Sequence, residues 1–149
     1  MSKPKSERFK VLQQIAGRHE NLAAQDLGVS MGNLGAQRSR LLELQKFREE
    51  YTHQFYQTGS TGISGSAMQS FQQFISQIDV AIEQQKQTVA LAERDQVVKK
   101  HTWEGKHRKT KIYDKTIERF TQTEQLAQEN SEQNETDDRN NARIHKKDI

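Results

Sequence analysis

Apolar residues in the C-terminal half of the chain recur alternately every four and every three residues. An average spacing of 3.5 residues keeps one stripe of a helix against a partner helix, which is typical of a left-handed coiled coil. This spacing predicts a second helix over about 67–127. We expect its middle, 96–110, to be loosely packed, because Trp103 is the one apolar residue among the stripe positions there. The positions of this seam, meaning the stripe that faces the partner helix, are Phe71, Ile75, Ile78, Ile82, Gln85, Val89, Ala92, Gln96, Lys99, Trp103, Lys106, Thr110, Tyr113, Ile117, Phe120, Glu124 and Ala127.

The N-terminal half carries the same spacing and predicts a first helix over about 6–57. Its seam positions are Leu27, Leu34, Leu41, Leu44, Arg48, Tyr51 and Phe55. Leu12, Ile15, His19 and Leu22 lie one residue off this register. Three glycines fall at the transition, and each costs about 1 kcal/mol relative to alanine inside a helix. We therefore expect a change of phase, with a local irregularity near residues 26–36.

The segment GSTGISGS at 59–66 separates the two helices. Glycine, serine and threonine favour turns, and the only proline of the chain is Pro4, so the sequence predicts one loop over 58–66. A loop this short makes the helices antiparallel and pairs 41–55 with 71–82. The predicted fold is all-α: one domain, 1–149, formed by a long antiparallel two-helix coiled coil, with a frayed or disordered polar tail over about 128–149.

Composition agrees with a narrow seam and excludes several classes of protein. Only 32% of the 149 residues are hydrophobic, and mean hydropathy is −1.03, which is too little apolar material for a thick core. The 23 basic and 20 acidic residues nearly balance, leaving a net charge of +3. Without cysteine there are no disulfides, no thiol chemistry and no thiolate zinc ligands. No apolar run is long enough for a bilayer or a signal peptide, so we expect a soluble, cytoplasmic protein.

The sequence offers no constellation for catalysis. The glycine loop lacks the Gly-Lys-Ser/Thr ending of a phosphate-binding loop, and no two of the five histidines stand four residues apart. We expect a non-enzymatic protein with no catalytic residue, no metal, no cofactor and no small-molecule substrate.

A basic segment, KKHTWEGKHRKTKIYDK, covers residues 99–115. It could bind nucleic acid, but Trp103 and Tyr113 occupy seam positions and leave no aromatic ring free to stack on bases. An acidic protein surface is therefore the favoured partner. The candidate contacts are Lys99, Lys100, Lys106, Arg108, Lys109 and Lys111.

Near the bend there are more apolar residues than the seam requires. Phe74, Ile78, Ala81 and Gln85 form a second stripe on one helix. Leu44, Phe47 and Tyr51 form a matching stripe on the other. Because a two-helix hairpin has no third layer, this surplus is either a widened seam or an exposed partner-binding patch.

Three features together resemble the FliJ family, the soluble coiled-coil component of the bacterial flagellar type III export apparatus. They are the spacing Leu41, Leu44, Phe47, Glu50, Tyr51, the run FQQFISQIDVAIEQQ at 71–85 after a Gly/Ser loop, and the single Trp103. The resemblance covers roughly residues 9–125. It implies a coiled coil like the rotor stalk of rotary ATPases, whose terminal end engages the export ATPase hexamer. It also implies contact with the cytoplasmic part of the export gate and binding of export chaperones.

By position, the resemblance assigns the gate contact to Leu44, Phe47, Tyr51, Phe74, Ile78, Ala81 and Gln85, the same surplus stripe. Arg40 and Gln85 are the positions at which this chain departs from the family pattern. The implied localisation is cytoplasmic, peripherally associated through partners with the inner membrane at the flagellar base. Two alternatives remain open: a nucleic-acid-binding helical hairpin that uses 99–115, and a passive coiled-coil spacer.

Overall fold

The chain forms a helical hairpin. A computed structural model describes residues 3–147: helix α1 spans Lys5–Thr58, a short 3-10 turn spans Gly59–Thr61, and helix α2 spans Gly65–Lys147. Within residues 3–147 there is no β-strand. The two long helices contact each other as in an antiparallel coiled coil, which confirms the predicted fold class.

The bend is built by glycines at two defined places. Gly62 has φ +113°, a left-handed conformation that favours glycine, and its N–H donates to the Gly59 carbonyl over 3.0 Å. A Cβ at Gly59 would overlap the side chain of Ile63, which packs over this position. The Ser64 hydroxyl accepts a hydrogen bond from the Ala67 N–H over 3.1 Å and caps the start of α2. These residues end α1 and start α2 within a few positions of each other.

Contacts between the helices divide the chain into two units, which we describe separately. The bend unit comprises Ala23–Trp103. The terminal unit comprises the first part of α1, up to Leu22, and the part of α2 that starts at Glu104.

The bend unit has a mainly apolar interior, in which Ser30 and Gln85 are buried polar residues. Leu34, Val89 and Ala92 form a buried cluster, and Leu41 packs against it. The predicted seam of α2 is confirmed here, since each of its positions from Phe71 to Trp103 is buried or half-buried.

The terminal unit has a smaller and more mixed interior. Ala16 and Ile117 are buried, and the Phe9 ring lies 6.2 Å from Tyr113 and 5.2 Å from Phe120, measured between centroids. The predicted α2 seam positions from Lys106 to Glu124 are buried or half-buried, whereas Ala127 is exposed.

The predicted change of phase in the first helix is wrong. Leu12, Ile15, His19 and Leu22 are exposed, and α1 is helical throughout residues 26–36. The register of the later seam continues to the N-terminus through small and polar residues. A small side chain lets the helices approach closely, and a polar one is retained because it hydrogen-bonds across the seam. The N-terminal positions that face α2 are Ser6, Phe9, Gln13, Ala16, Glu20, Ala23, Leu27 and Ser30.

Helix α2 continues to Lys147, beyond the predicted end near 127. Residues 125–147 are all exposed. No glycine or proline follows Gly105, and His145, Lys146 and Lys147 place positive charge where a helix C-terminus favours it. Because an unpaired helical segment is marginal in water, fraying of this part in solution stays a prediction.

Candidate partner-binding surface near the bend

An aromatic cluster joins the two helices beside the bend. Phe55 stacks on Phe71 with ring centroids 3.9 Å apart, and Tyr51 stacks on Phe71 at 5.7 Å. Phe71 is buried, with 8% of its surface exposed. The heptad spacing explains the arrangement, because Tyr51, Phe55 and Phe71 are seam positions of opposing helices. Three rings therefore form the interior of the cluster.

Two further rings extend this cluster outside the seam. Phe74 lies 4.6 Å from Tyr51, and Phe47 lies 6.3 Å from Phe74 and 6.2 Å from Tyr51. Phe74 is half-buried, whereas Phe47 is 47% exposed. Phe47 thus has its ring held by aromatic neighbours on one side and open to solvent on the other.

An ion pair joins the two helices close to the aromatic cluster. Arg48 Nε donates to Asp79 Oδ1 over 2.6 Å, and the pairing with Asp79 raises the pKa of Arg48. The Thr52 hydroxyl donates to the Arg48 carbonyl over 2.8 Å. Sequence reasoning placed Arg48 in the seam but missed its partner, although Asp79 directly follows the seam residue Ile78.

The seam of the terminal unit carries polar pairs in addition to the rings of Phe9, Tyr113 and Phe120. His107 Nδ1 donates to Glu20 Oε1 over 2.6 Å, and hydrogen bonds from His107 and Thr110 lower the pKa of Glu20. The Ser6 hydroxyl donates to Glu124 Oε2 over 2.6 Å, and its N–H donates to Oε1 over 3.2 Å. These two bonds lower the pKa of Glu124.

A third polar pair completes this series. The Gln13 amide donates to the Asp114 carboxylate. Three carboxylates of the terminal unit are therefore half-buried and hydrogen-bonded to the opposite helix. Sequence reasoning missed the pairs because it ranked positions by apolar size.

The basic segment does not lie on one side of one unit. Lys99 and Lys100 belong to the bend unit, where Lys99 is half-buried beside Ser30 and Asp95 at a cavity of about 330 Å³. Ser30 Oγ donates to Asp95 Oδ2 over 2.9 Å. The other candidate contacts belong to the terminal unit. Lys106 is half-buried there, and three are exposed: Arg108, Lys109 and Lys111.

Neither a metal site nor a membrane span is found in the described chain. No group of three or more His, Asp or Glu side chains within residues 3–147 could hold a metal ion. In that same range, no helix has a stretch long and apolar enough to cross a bilayer.

A family model described as flagellar FliJ protein matches residues 5–148, which is nearly the whole chain. The chain belongs to the FliJ family. It is therefore a component of flagellar protein export. No curated protein and no solved structure matches the chain closely enough to count as a relative.

Most residues of the gate contact expected for a FliJ protein lie at or near the surface of the hairpin. Leu44, Tyr51, Phe74 and Ala81 are half-buried, and Phe47 is exposed. The structure thus brings Phe47, Tyr51 and Phe74 together by ring contacts at the surface.

Two other residues of the expected gate contact lie in the interior of the hairpin. Ile78 is 7% exposed, and Gln85 is 9% exposed. The Gln85 amide donates to the Gln37 carbonyl over 3.0 Å and to Gln37 Oε1 over 2.8 Å. These two residues therefore face the opposite helix rather than solvent, and Gln85 is hydrogen-bonded to it.

Proposed function

We propose that this protein engages the hexameric ATPase of flagellar export, contacts the cytoplasmic part of the export gate and escorts export chaperones. It would act in the cytoplasm, peripherally associated with the inner membrane at the flagellar base. Membership of the FliJ family supports an export role, and the individual contacts are our proposal.

The observation that carries the gate contact is the position of Phe47. Its ring is 47% exposed, and Phe74 and Tyr51 pack against one side of it. An aromatic side chain already held in place loses little conformational freedom when a partner covers it. Exposed aromatic residues of this kind are frequent anchors of interfaces. We therefore assign the centre of the gate-binding patch to Phe47, with Leu44, Tyr51, Phe74 and Ala81 around it.

The charge distribution of the terminal unit supports an acidic partner there. Glu20, Asp114 and Glu124 are hydrogen-bonded in the seam. Exposed basic side chains of the same unit include Arg108, Lys109 and Lys111. The surface of this unit is thus basic up to Ala127, and we assign contact with the ATPase to that part. The remaining part of α2 exposes acidic residues instead: Glu129, Glu132, Glu135, Asp137 and Asp138.

The test measures gate binding and ATPase turnover on the same variants. We expect Phe47→Ala to weaken binding to the purified cytoplasmic part of the gate by about thirtyfold, the equivalent of a 2 kcal/mol hot spot. Helicity, melting and ATPase stimulation should stay unchanged. The matched control is Tyr56→Ala, since Tyr56 is also an exposed ring beside the cluster, at 61%. It should change gate affinity by less than about threefold, below 0.7 kcal/mol.

Two outcomes would contradict the proposal. Normal gate affinity of Phe47→Ala would remove Phe47 from the interface. Unchanged ATPase turnover on addition of the wild-type protein would indicate a passive coiled-coil spacer instead of an ATPase regulator.

A further inference from the structure

The corrected register of α1 leaves a row of residues on the side of the helix opposite the seam. We call it the outer stripe: Arg8, Val11, Ile15, Arg18 and Leu22, all within the terminal unit. Each lies two residues after a seam position, and two residues turn a helix by about 200°. The stripe therefore points away from α2.

The aliphatic members of the outer stripe are substantially open to solvent. Val11 is 56% exposed, Ile15 is 45% exposed and Leu22 is 59% exposed. Single exposed aliphatic residues are ordinary, but these three lie with the two arginines along one face, at alternating spacings of three and four residues. Such spacing is the pattern by which one helix packs against another. The outer stripe thus has the form of a second seam without a partner helix.

The two arginines of the stripe have no anionic partner within the described chain. Neither Arg8 nor Arg18 takes part in an ion pair or a side-chain hydrogen bond among residues 3–147. Within this unit, α1 has two acidic residues, Glu7 and Glu20. Glu20 is paired with His107, and Glu7 is exposed and does not lie on the outer stripe. Charge complementarity therefore requires carboxylates from the molecule that covers the stripe.

We propose that the outer stripe docks a helix of a partner protein, with apolar residues facing Val11, Ile15 and Leu22 and carboxylates facing Arg8 and Arg18. The stripe spans about 21 Å at 1.5 Å per residue, so about four helical turns of the partner would cover it. This inference rests on helix geometry and charge, and it does not depend on the gate or ATPase contacts proposed above.

The same residues argue against two other occupants. A second copy paired through this stripe would bring four arginines into one interface without a carboxylate. A bilayer surface usually engages a wide apolar face with aromatic residues, whereas this stripe has no aromatic residue and is interrupted by two arginines, with Leu12 as the exposed apolar residue beside it. Both occupants are outcomes of the test below.

The test uses the full chain and two synthetic helical peptides followed by fluorescence anisotropy. One peptide has leucine at its heptad core positions and glutamate beside them, and its twin has lysine in place of each glutamate. We expect the acidic peptide to bind at least tenfold more tightly than its twin, and Arg8→Glu with Arg18→Glu to reverse that order. Ile15→Ser should weaken binding of the acidic peptide at least tenfold.

The matched control is Ile112→Ser, because Ile112 is a 63% exposed isoleucine of α2 in the same unit. It should change affinity less than twofold. Circular dichroism melts of Ile15→Ser should equal those of the wild type, which separates docking from folding.

Four results would overturn the proposal. The first two are no binding of the acidic peptide and equal binding of the two peptides. The third is a wild-type dimer in sedimentation that Ile15→Ser dissociates. The fourth is Ile15-dependent binding to phosphatidylglycerol vesicles without any preference between the peptides. The third would assign the stripe to a second copy, and the fourth to anionic lipid.

Discussion

The bend unit and the terminal unit satisfy the same heptad spacing with different chemistry. In the bend unit the interior is mainly aliphatic and aromatic, with Leu34 and Val89 buried together, although the pairs Ser30–Asp95 and Gln37–Gln85 also join the helices. In the terminal unit the pairs Ser6–Glu124, Gln13–Asp114 and Glu20–His107 cross the seam. Apolar burial contributes most of the stability of a coiled coil, whereas polar pairs contribute little net stability and fix the register. The bend unit should therefore be the more stable of the two, and the terminal unit the more sensitive to solution conditions.

The largest expected effect lies in the aromatic cluster. Phe71→Ala removes a buried ring that touches Phe55, Tyr51 and Tyr56, so we expect a loss of about 3–4 kcal/mol in the free energy of unfolding. Urea denaturation followed by circular dichroism measures it. Phe47→Ala is the matched control and should cost about 0.5 kcal/mol or less, because Phe47 is half-exposed. Equal losses in the two variants would mean that Phe47 is an interior residue.

A medium effect tests the register of the terminal unit. Ala16 is 4% exposed at the seam, so Ala16→Leu should overpack the two helices and cost about 1–3 kcal/mol. Ile15→Ser at the neighbouring exposed position should cost about 0.5 kcal/mol or less. Thermal melts of the two variants compare them directly. The reverse order, with Ile15→Ser the more damaging, would restore the shifted register that large aliphatic residues predict.

The smallest effect concerns acid. The pKa values of Glu20 and Glu124 lie below the ordinary 4.5 in the folded protein because of their hydrogen bonds. Carboxylates with lowered pKa values contribute stability that is complete above pH 4.5 and is lost as pH falls through the folded values. Exchange protection factors, which allow for the intrinsic slowing of amide exchange in acid, should therefore fall in the terminal unit before the bend unit on acidification from pH 6 to 3.

Glu20→Gln should reduce that acid response, whereas Glu7→Gln should leave it unchanged, since Glu7 is exposed. Simultaneous loss of protection in both units would show that the polar pairs do not decide the acid response.

The sequence predicts α2 far better than the N-terminal part of α1. On α2 the seam from Phe71 to Glu124 is marked by large apolar residues at most positions, so spacing alone locates it. On α1 the seam continues through Ser6, Ala16 and Ser30, whose size gives no hydrophobic signal. Extending the 27, 34, 41 register backwards to 20, 13 and 6 would have found the correct face.

The candidate site also has features that the sequence predicts and features that it does not. The exposure of Phe47 follows from an excess of apolar residues over seam positions. The burial of Gln85 also follows, because the heptad spacing makes it a seam position, but its hydrogen bonds to Gln37 on the opposite helix do not. Spacing locates a face, whereas the partner of a buried polar residue is known only from the structure.

The hairpin connection also orders folding in time. Near the bend, Arg48 and Asp79 are 31 residues apart in sequence, whereas Ser6 and Glu124 are 118 apart. Closing the longer loop from an unfolded chain costs about 1.2 kcal/mol more in entropy, and that extra cost disappears once the bend has formed. Helix pairing should therefore start at the glycine bend and proceed towards the termini. Substitutions in the bend unit should then slow folding, whereas those in the terminal unit should mainly speed unfolding.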